Sequence, residues 1–194
     1  IRYMNNEITL KITCDIKKFH SILSNMNFTP IEYFTLDDRY FVPTSLDLTT
    51  VSIRDILGKA IILRNIVDLT SNKNIIKLTF KNKTINENGV ILKQSKTDCE
   101  ILNLKEGESF LKAIGYKQLM QIEEKDTIYR KDNLLIATKD IKNGEKLIEV
   151  ETVKNDNKLN TIEKLINEVK KLEMPLDTKD FFVKKAEIEL KKIL

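Results

Sequence analysis

EITLKIT, residues 7–13, alternates strictly: Glu7, Thr9, Lys11 and Thr13 are polar, and Ile8, Leu10 and Ile12 between them are apolar. A period of two is the mark of a strand with one face against a core and one face polar. The polar face carries a carboxylate and an ammonium. It is either a solvated sheet surface or the inner wall of a polar cavity, and one strand cannot decide between them.

The pattern recurs. Ile76, Leu78 and Phe80 stand against Lys77, Thr79 and Lys81; Cys99 and Ile101 against Lys96, Asp98 and Glu100; Ile148 and Val150 against Glu149 and Glu151. An open sheet with a wet face satisfies this, and so does a barrel that keeps its charges inside and its apolar side under outer helices. Clustered carboxylates repel unless a cation bridges them. Hard oxygen donors suit Mg²⁺ or Mn²⁺, and surrounding lysines and an arginine suit a polyanion.

Bulk composition bounds the function. The chain has 194 residues, 41% hydrophobic and 32% charged, which is globular rather than disordered. Its net charge, 33 − 29 = +4, permits an anionic ligand. The lack of a basic stripe argues against nucleic acid as a partner. Cys14, Cys99 and His20, the whole complement of these types, cannot build a Cys/His metal site and leave no convincing nucleophile–histidine pair. His20 falls in a helical pattern and is expected at or near the surface. The apolar runs AIIL and LLIA are far too short to span a bilayer, and no secretion leader precedes Met4. A cytoplasmic protein with no membrane partner is expected, its cysteines reduced. The sequence leaves the oligomeric state open, a homodimer included.

Strands are expected at 6–14, 31–42, 59–68, 74–82, 89–94, 97–103, 117–124, 126–131, 133–138 and 145–153. Helical spacing marks 15–26, capped by Asp15, then 106–116, 159–174 and 178–194. The class is α+β, in one domain of 1–194: barrel strands with inserted helices over 4–153 and a helical tail over 158–194.

The motifs also come in a familiar order. Glu7-x-Thr9-x-Lys11 resembles an E-x-E-x-K strand, and Asp38-Arg39-Tyr40-Phe41 a D-x-Y-F strand. Leu63-Arg64-Asn65-Ile66 resembles L-R-x-R, Leu78-Thr79-Phe80-Lys81 L-T-x-K, and Lys96-Thr97-Asp98-Cys99-Glu100 a charge-preserving R-x-E-x-E. A helix and turn then lead to a strand ending at Tyr129, and Leu147-Ile148-Glu149-Val150-Glu151 closes the series. Together these resemble the CYTH domains, the triphosphate tunnel metalloenzymes that include CyaB-type adenylate cyclases and thiamine triphosphatases.

The resemblance implies an eight-stranded antiparallel β-barrel with helices outside, its tunnel holding a small-molecule triphosphate and Mg²⁺ or Mn²⁺. It implies metal ligands at Glu7, Glu100, Glu149 and Glu151, and phosphate binding by Lys11, Arg64, Lys81, Lys96 and Lys125, with Lys11 also catalytic. The activity implied is a metal-dependent phosphohydrolase or adenylate cyclase-like enzyme. The alternative is a catalytically impaired domain that binds an anionic ligand or protein partner, because several positions depart from the family pattern. Thr9 replaces a glutamate, Ile66 an arginine and Asp126 a basic residue, and the acid before the last strand falls at Lys139 or Asp140 depending on a one-residue gap. The alternation further predicts that Glu7, Lys11, Arg64, Lys81, Glu149 and Glu151 face one cavity.

Overall fold

A computed structural model describes residues 7–151 and 158–194 of the chain. The first residue of the strand expected at 6–14 and the last two of 145–153 lie outside the described residues. The elements run β1 (Glu7–Lys11), α1 (Ile16–Asn25), β2 (Thr29–Pro43), α2 (Ile53–Gly58), β3 (Ile61–Asp68), β4 (Lys73–Ile85) and β5 (Ile91–Glu100). Then follow α3 (Leu104–Ala113), β6 (Tyr116–Lys131), β7 (Leu134–Ile141), β8 (Lys146–Glu151), α4 (Ile162–Lys171) and α5 (Lys185–Lys191). The class is α+β, and the strands form one eight-stranded antiparallel sheet in the order β1-β8-β7-β6-β2-β3-β4-β5.

Two pairs of expected strands are each continuous. Residues 89–94 and 97–103 merge into β5, and 117–124 and 126–131 into β6. The polar residues that looked like breaks keep the two-residue period and occupy one face. A short helix, α2, was not foreseen, although its start is written locally: Ser52 accepts from the Asp55 amide and donates to the Asp55 carboxylate.

The chain divides into two compact units, with boundaries inside β2 and β6. One unit comprises the described residues of Tyr3–Phe34 and Glu124–Val183. Its core takes the apolar sides of β1, β7 and β8, through Ile8, Leu10, Ile136, Ile148 and Val150. Onto these pack Phe19 and Leu23 of α1 and Leu165 and Val169 of α4. Asp15 caps α1 by accepting from the Lys17 amide, and Thr161 caps α4 by accepting from the Lys164 amide.

The tail is not helical throughout. After α4 and Pro175 the chain follows β1 as an irregular strip with a turn at 178–179. The Thr13 amide donates to the Pro175 carbonyl, Asp177 to Lys11, Thr9 to Phe181, and Val183 back to Thr9. An edge strand exposes a row of unpaired donors and acceptors, and this strip satisfies those of β1. The helix expected over 178–194 is therefore shortened to α5.

The other unit comprises Thr35–Glu123 and Lys184–Leu194, apart from the two undescribed residues Ile1–Arg2. Phe41, Leu63 and Leu111 form its core, with Ile76, Leu78 and Ile101 packed on them. Gly107 lets α3 approach closely: a Cβ there would lie 2.4 Å from Ile101 Cδ1 and 2.7 Å from Leu63 Cδ1. An ion pair of 2.9 Å between Arg54 of α2 and Glu187 of α5 ties the C-terminal helix to this unit.

These cores predict unequal costs for two phenylalanines. Phe19→Ala should lower unfolding stability by about 3–5 kcal/mol, since its ring is fully buried. Phe80→Ala should cost within about 0.5 kcal/mol, since that ring is 41% exposed. Urea titration of both variants checks the difference.

Candidate functional site

The unit built on β1, β8, β7 and part of β6 collects acids on its polar face. The β6–β7 hairpin turns through Asp132 and Asn133, with Asp132 at φ 51°, and pairs Lys131 with Leu134. From that turn the register runs back to place Asp126 directly opposite Lys139. Glu124, Asp126 and Lys139 therefore share a face, and Asp140 falls on the other, paired with Lys146. In β8, Glu149 lies opposite Thr9 of β1, and Glu151 opposite Glu7.

Part of this face is shielded from solvent, although Glu151 at its edge is exposed. Glu124 is 3% and Asp126 2% exposed. The Lys139 ammonium lies 2.9 Å from Asp126 Oδ2, 3.6 Å from Glu149 Oε2 and 3.9 Å from Glu124 Oε1. Burial works against its charge, but Glu149, Asp126 and Glu124 outweigh that and hold its proton more firmly than on an ordinary lysine. An acid at 126 and a base at 139 thus form one cross-strand pair.

Glu7, Glu149 and Glu151 converge beside this pair, each offering a carboxylate oxygen within 4.8 Å of the others. Three hard oxygen donors at that spacing fit one divalent cation of the Mg²⁺ or Mn²⁺ kind. Lys11, on the same face, pairs with Glu145 at 3.0 Å. Tyr129 points into the core, its hydroxyl 2.6 Å from Nδ1 of the half-buried His20.

The other unit gathers bases on the polar face of β3, β4 and β5. Arg64 Nε and Nη2 each donate to Asp38 at 2.6 Å, a bidentate pair, and Lys185 at the start of α5 approaches the same carboxylate at 3.9 Å. Burial opposes the Asp38 charge, but Arg64 and then Lys185 and Lys81 hold its carboxyl below the usual range. Asp98 accepts from Thr79 at 2.7 Å, Lys96 at 2.9 Å and Lys77 at 3.1 Å. Against the opposing effect of burial, these bonds hold it well below the usual carboxylate range. Lys81 lies directly opposite Lys96 in the β4–β5 register. Burial, then Arg64 and Lys83, push the Lys81 ammonium down to about 7.

Of the residues expected from sequence, Glu7, Glu149 and Glu151 are brought together in one unit, and Arg64, Lys81 and Lys96 share a face in the other. Lys125 is exposed on the face of β6 opposite to Asp126, and Glu100 is exposed at the end of β5 opposite Lys77. Sequence reasoning had not assigned site roles to Asp38, Lys77, Lys83, Lys139 and Lys185. Lys77 and Lys83 follow from the same two-residue period as Lys81. Nothing local marks Lys185, which reaches Asp38 only through the fold.

No protein-family model and no curated protein sequence matches the chain. Solved structures do. The PH1819 protein of Pyrococcus horikoshii aligns over 96% of this chain and 99% of its own, at 18% identity and a TM-score of 0.69. A candidate adenylate cyclase from Vibrio parahaemolyticus aligns over 98% and 99%, at 14% identity and 0.61. A candidate adenylyl cyclase from Hippeastrum, described as having a dominant triphosphatase activity, aligns over 97% and 96%, at 16% identity and 0.60. Among the described residues no helix is long and apolar enough to cross a membrane.

The Lys81 shift sets a pH dependence. The unfolded lysine keeps its proton to about pH 10.4 and the folded one to about 7. Between those values the unfolded chain binds the extra proton, so this group makes stability rise with pH; below pH 7 both states are protonated and its contribution is flat. The melting temperature should therefore gain more between pH 7 and 9 in the natural chain than in Lys81→Met, as calorimetry at stepped pH would read. An equal gain in both would show that Lys81 titrates normally.

At identities this low the likeness is one of fold, and the chain has the CYTH-like fold that its motif order resembles.

Proposed function

We propose that the chain is a divalent-metal-dependent phosphohydrolase acting on a triphosphate. The observation that carries this reading is the pairing of Lys81 with Lys96 across β4–β5, beside Arg64, Lys83 and Lys185. Like charges placed directly opposite are destabilising, and a polyanion relieves them. The triphosphatase activity described for the Hippeastrum protein of the same fold supports the choice of hydrolysis over cyclisation.

In this reading Arg64, Lys81 and Lys96 hold phosphate oxygens, and Asp38 keeps the Arg64 guanidinium oriented. Glu7, Glu149 and Glu151 are the residues that would hold Mg²⁺ or Mn²⁺, which when bound neutralises phosphate oxygens. Water attacks the terminal phosphorus, the bond to the bridging oxygen breaks, and the leaving phosphate chain takes the electron pair. The basic side chains stabilise the charge gathering there. Lys11, held by Glu145, is the base nearest in sequence to the Glu7 carboxylate on the β1 polar face and serves the same end.

Phosphate release from tripolyphosphate, thiamine triphosphate and ATP tests this directly. Release is expected from at least one, faster with Mn²⁺ than with Mg²⁺ because Thr9 leaves fewer charged oxygens and Mn²⁺ binds such sites more tightly. Lys81→Met and Glu151→Gln should each reduce it by about tenfold or more, the loss of about 1.4 kcal/mol of transition-state stabilisation. Release from none of the three overturns the enzyme. If tripolyphosphate still raises the melting temperature, the domain is a binder of that anion.

Thr9 gives a separate expectation. Its side chain lies on the acidic face opposite Glu149, so Thr9→Glu adds a fourth carboxylate there. Calorimetric titration with Mn²⁺ should show tighter binding in Thr9→Glu than in the natural chain, and unchanged or weaker binding would place the ion elsewhere.

A further inference from the structure

The sheet ends in β1 on one side and β5 on the other. The β1 edge is taken up by the chain's own residues 175–183. Among the described residues β5 has a hydrogen-bonded neighbour on one side only, β4. The Ile101 amide donates to the Ile76 carbonyl at 2.9 Å, one step beyond the register that pairs Glu100 with Lys77. Backbone groups alternate in direction along an antiparallel strand. Those of Thr97 and Cys99 therefore point at β4, and those of Gln94, Lys96, Asp98 and Glu100 point away from it. An edge of this length is a template for another strand, unless proline or charge of one sign blunts it. β5 holds no proline, and its charges change sign along the strand, from Lys93 and Lys96 to Asp98 and Glu100. A strand that runs from basic to acidic complements its own antiparallel copy.

We propose that β5 pairs antiparallel with β5 of a second copy of this chain, about a two-fold axis at Thr97. That register sets Lys96 opposite Asp98 of the other copy, twice, and Gln94 opposite Glu100. Lys96 and Asp98 already pair within one chain at 2.9 Å, so the second copy joins two such pairs into a network of four charges. Moving the axis to Lys96 or to Asp98 would set that residue against itself, and like charges directly opposite are destabilising. The charge pattern thus selects one register. On the other face Phe80, 41% exposed, stands opposite Thr97 in the β4–β5 register. Each copy therefore brings an apolar ring up to the shared pair of threonines. The contact is isologous, so it closes on itself and leaves no β5 edge free to add further chains. Main-chain hydrogen bonds along the edge supply attraction, and the alternating side chains supply the choice of partner. The inference does not rest on the enzymatic reading.

Sedimentation equilibrium from micromolar to near-millimolar protein should give twice the chain mass at the upper end. A single-chain mass throughout overturns the proposal. Lys96→Glu sets a second acid against Asp98 at two places and should weaken the dimer by about tenfold or more. Asp98→Lys should weaken it likewise. An equimolar mixture of the two variants restores opposite charges at both places and should dimerise where neither does alone. An unweakened Lys96→Glu dimer overturns the proposal. Asp98 also accepts from Thr79 and Lys77, so where Asp98→Lys fails to fold a cross-link decides. Thr97 forms a pair across the axis that exchanges no hydrogen bonds, with Cα atoms about 4.5 Å apart, within reach of a disulfide. In a Cys99→Ser chain, Thr97→Cys should form a covalent dimer with copper–phenanthroline as oxidant. Lys93→Cys in the same background should not, since the register sets it opposite Ile101. Equal cross-linking of the two, or none at Thr97→Cys, overturns the proposal. Loss of phosphate release in a chain that still dimerises leaves this inference standing and removes only the enzymatic one.

Discussion

An ammonium held among three carboxylates is the constraint on which one half of the molecule is built. Glu124 and Asp126 are buried charges, and buried charges persist only with a partner. Lys139 is one such partner, and its position follows from the two-residue turn at Asp132 and Asn133. A slip of one residue in that hairpin would send Lys139 to the opposite face and bring Asp140 beside Asp126. The same register sets which sides of β7 and β8 meet α1 and α4, so charge pairing and core packing depend on one turn.

The opposite charge logic governs the other unit. Asp38 and Asp98 organise the bases around them, one through Arg64 and Lys185, the other through Lys77, Lys96 and Thr79. Lys81 faces Lys96 in the register, and burial, then Arg64 and Lys83, loosen its proton. One unit therefore concentrates acids near a single firmly protonated lysine, and the other concentrates bases around two firmly ionised aspartates. The proposed metal ligation belongs to the first and the proposed anion binding to the second, each for reasons internal to its own unit.

Much of the fold was legible because the two-residue period is a direct imprint of the pleat. It located β1, β4, β5 and β8, and with them Glu7, Lys81, Lys96, Glu149 and Glu151 on polar faces. Two breaks placed inside β5 and β6 were misread, since a polar residue on a polar face resembles a turn when its cross-strand partner is unknown. The tail was misread as helix beyond Pro175 because its course is set by hydrogen bonds to β1, at the other end of the sequence. Lys125 illustrates the same limit: it adjoins Asp126, adjacency in a strand means opposite faces, and the sequence did not show which of the two faces inward.

By itself the sequence determined the α+β class, the faces of the alternating strands and the exclusion of Cys/His metal chemistry. These depend on local period and on residue inventory, which survive without any knowledge of partners. Only the tertiary structure decided that Asp126 and Lys139 compensate one another and that Lys185 reaches Asp38. It also decided that Lys81 confronts Lys96. Each of these is a relation between distant segments, set by hairpin register or helix docking, and electrostatic energy depends on the distance between charges rather than on their order along the chain.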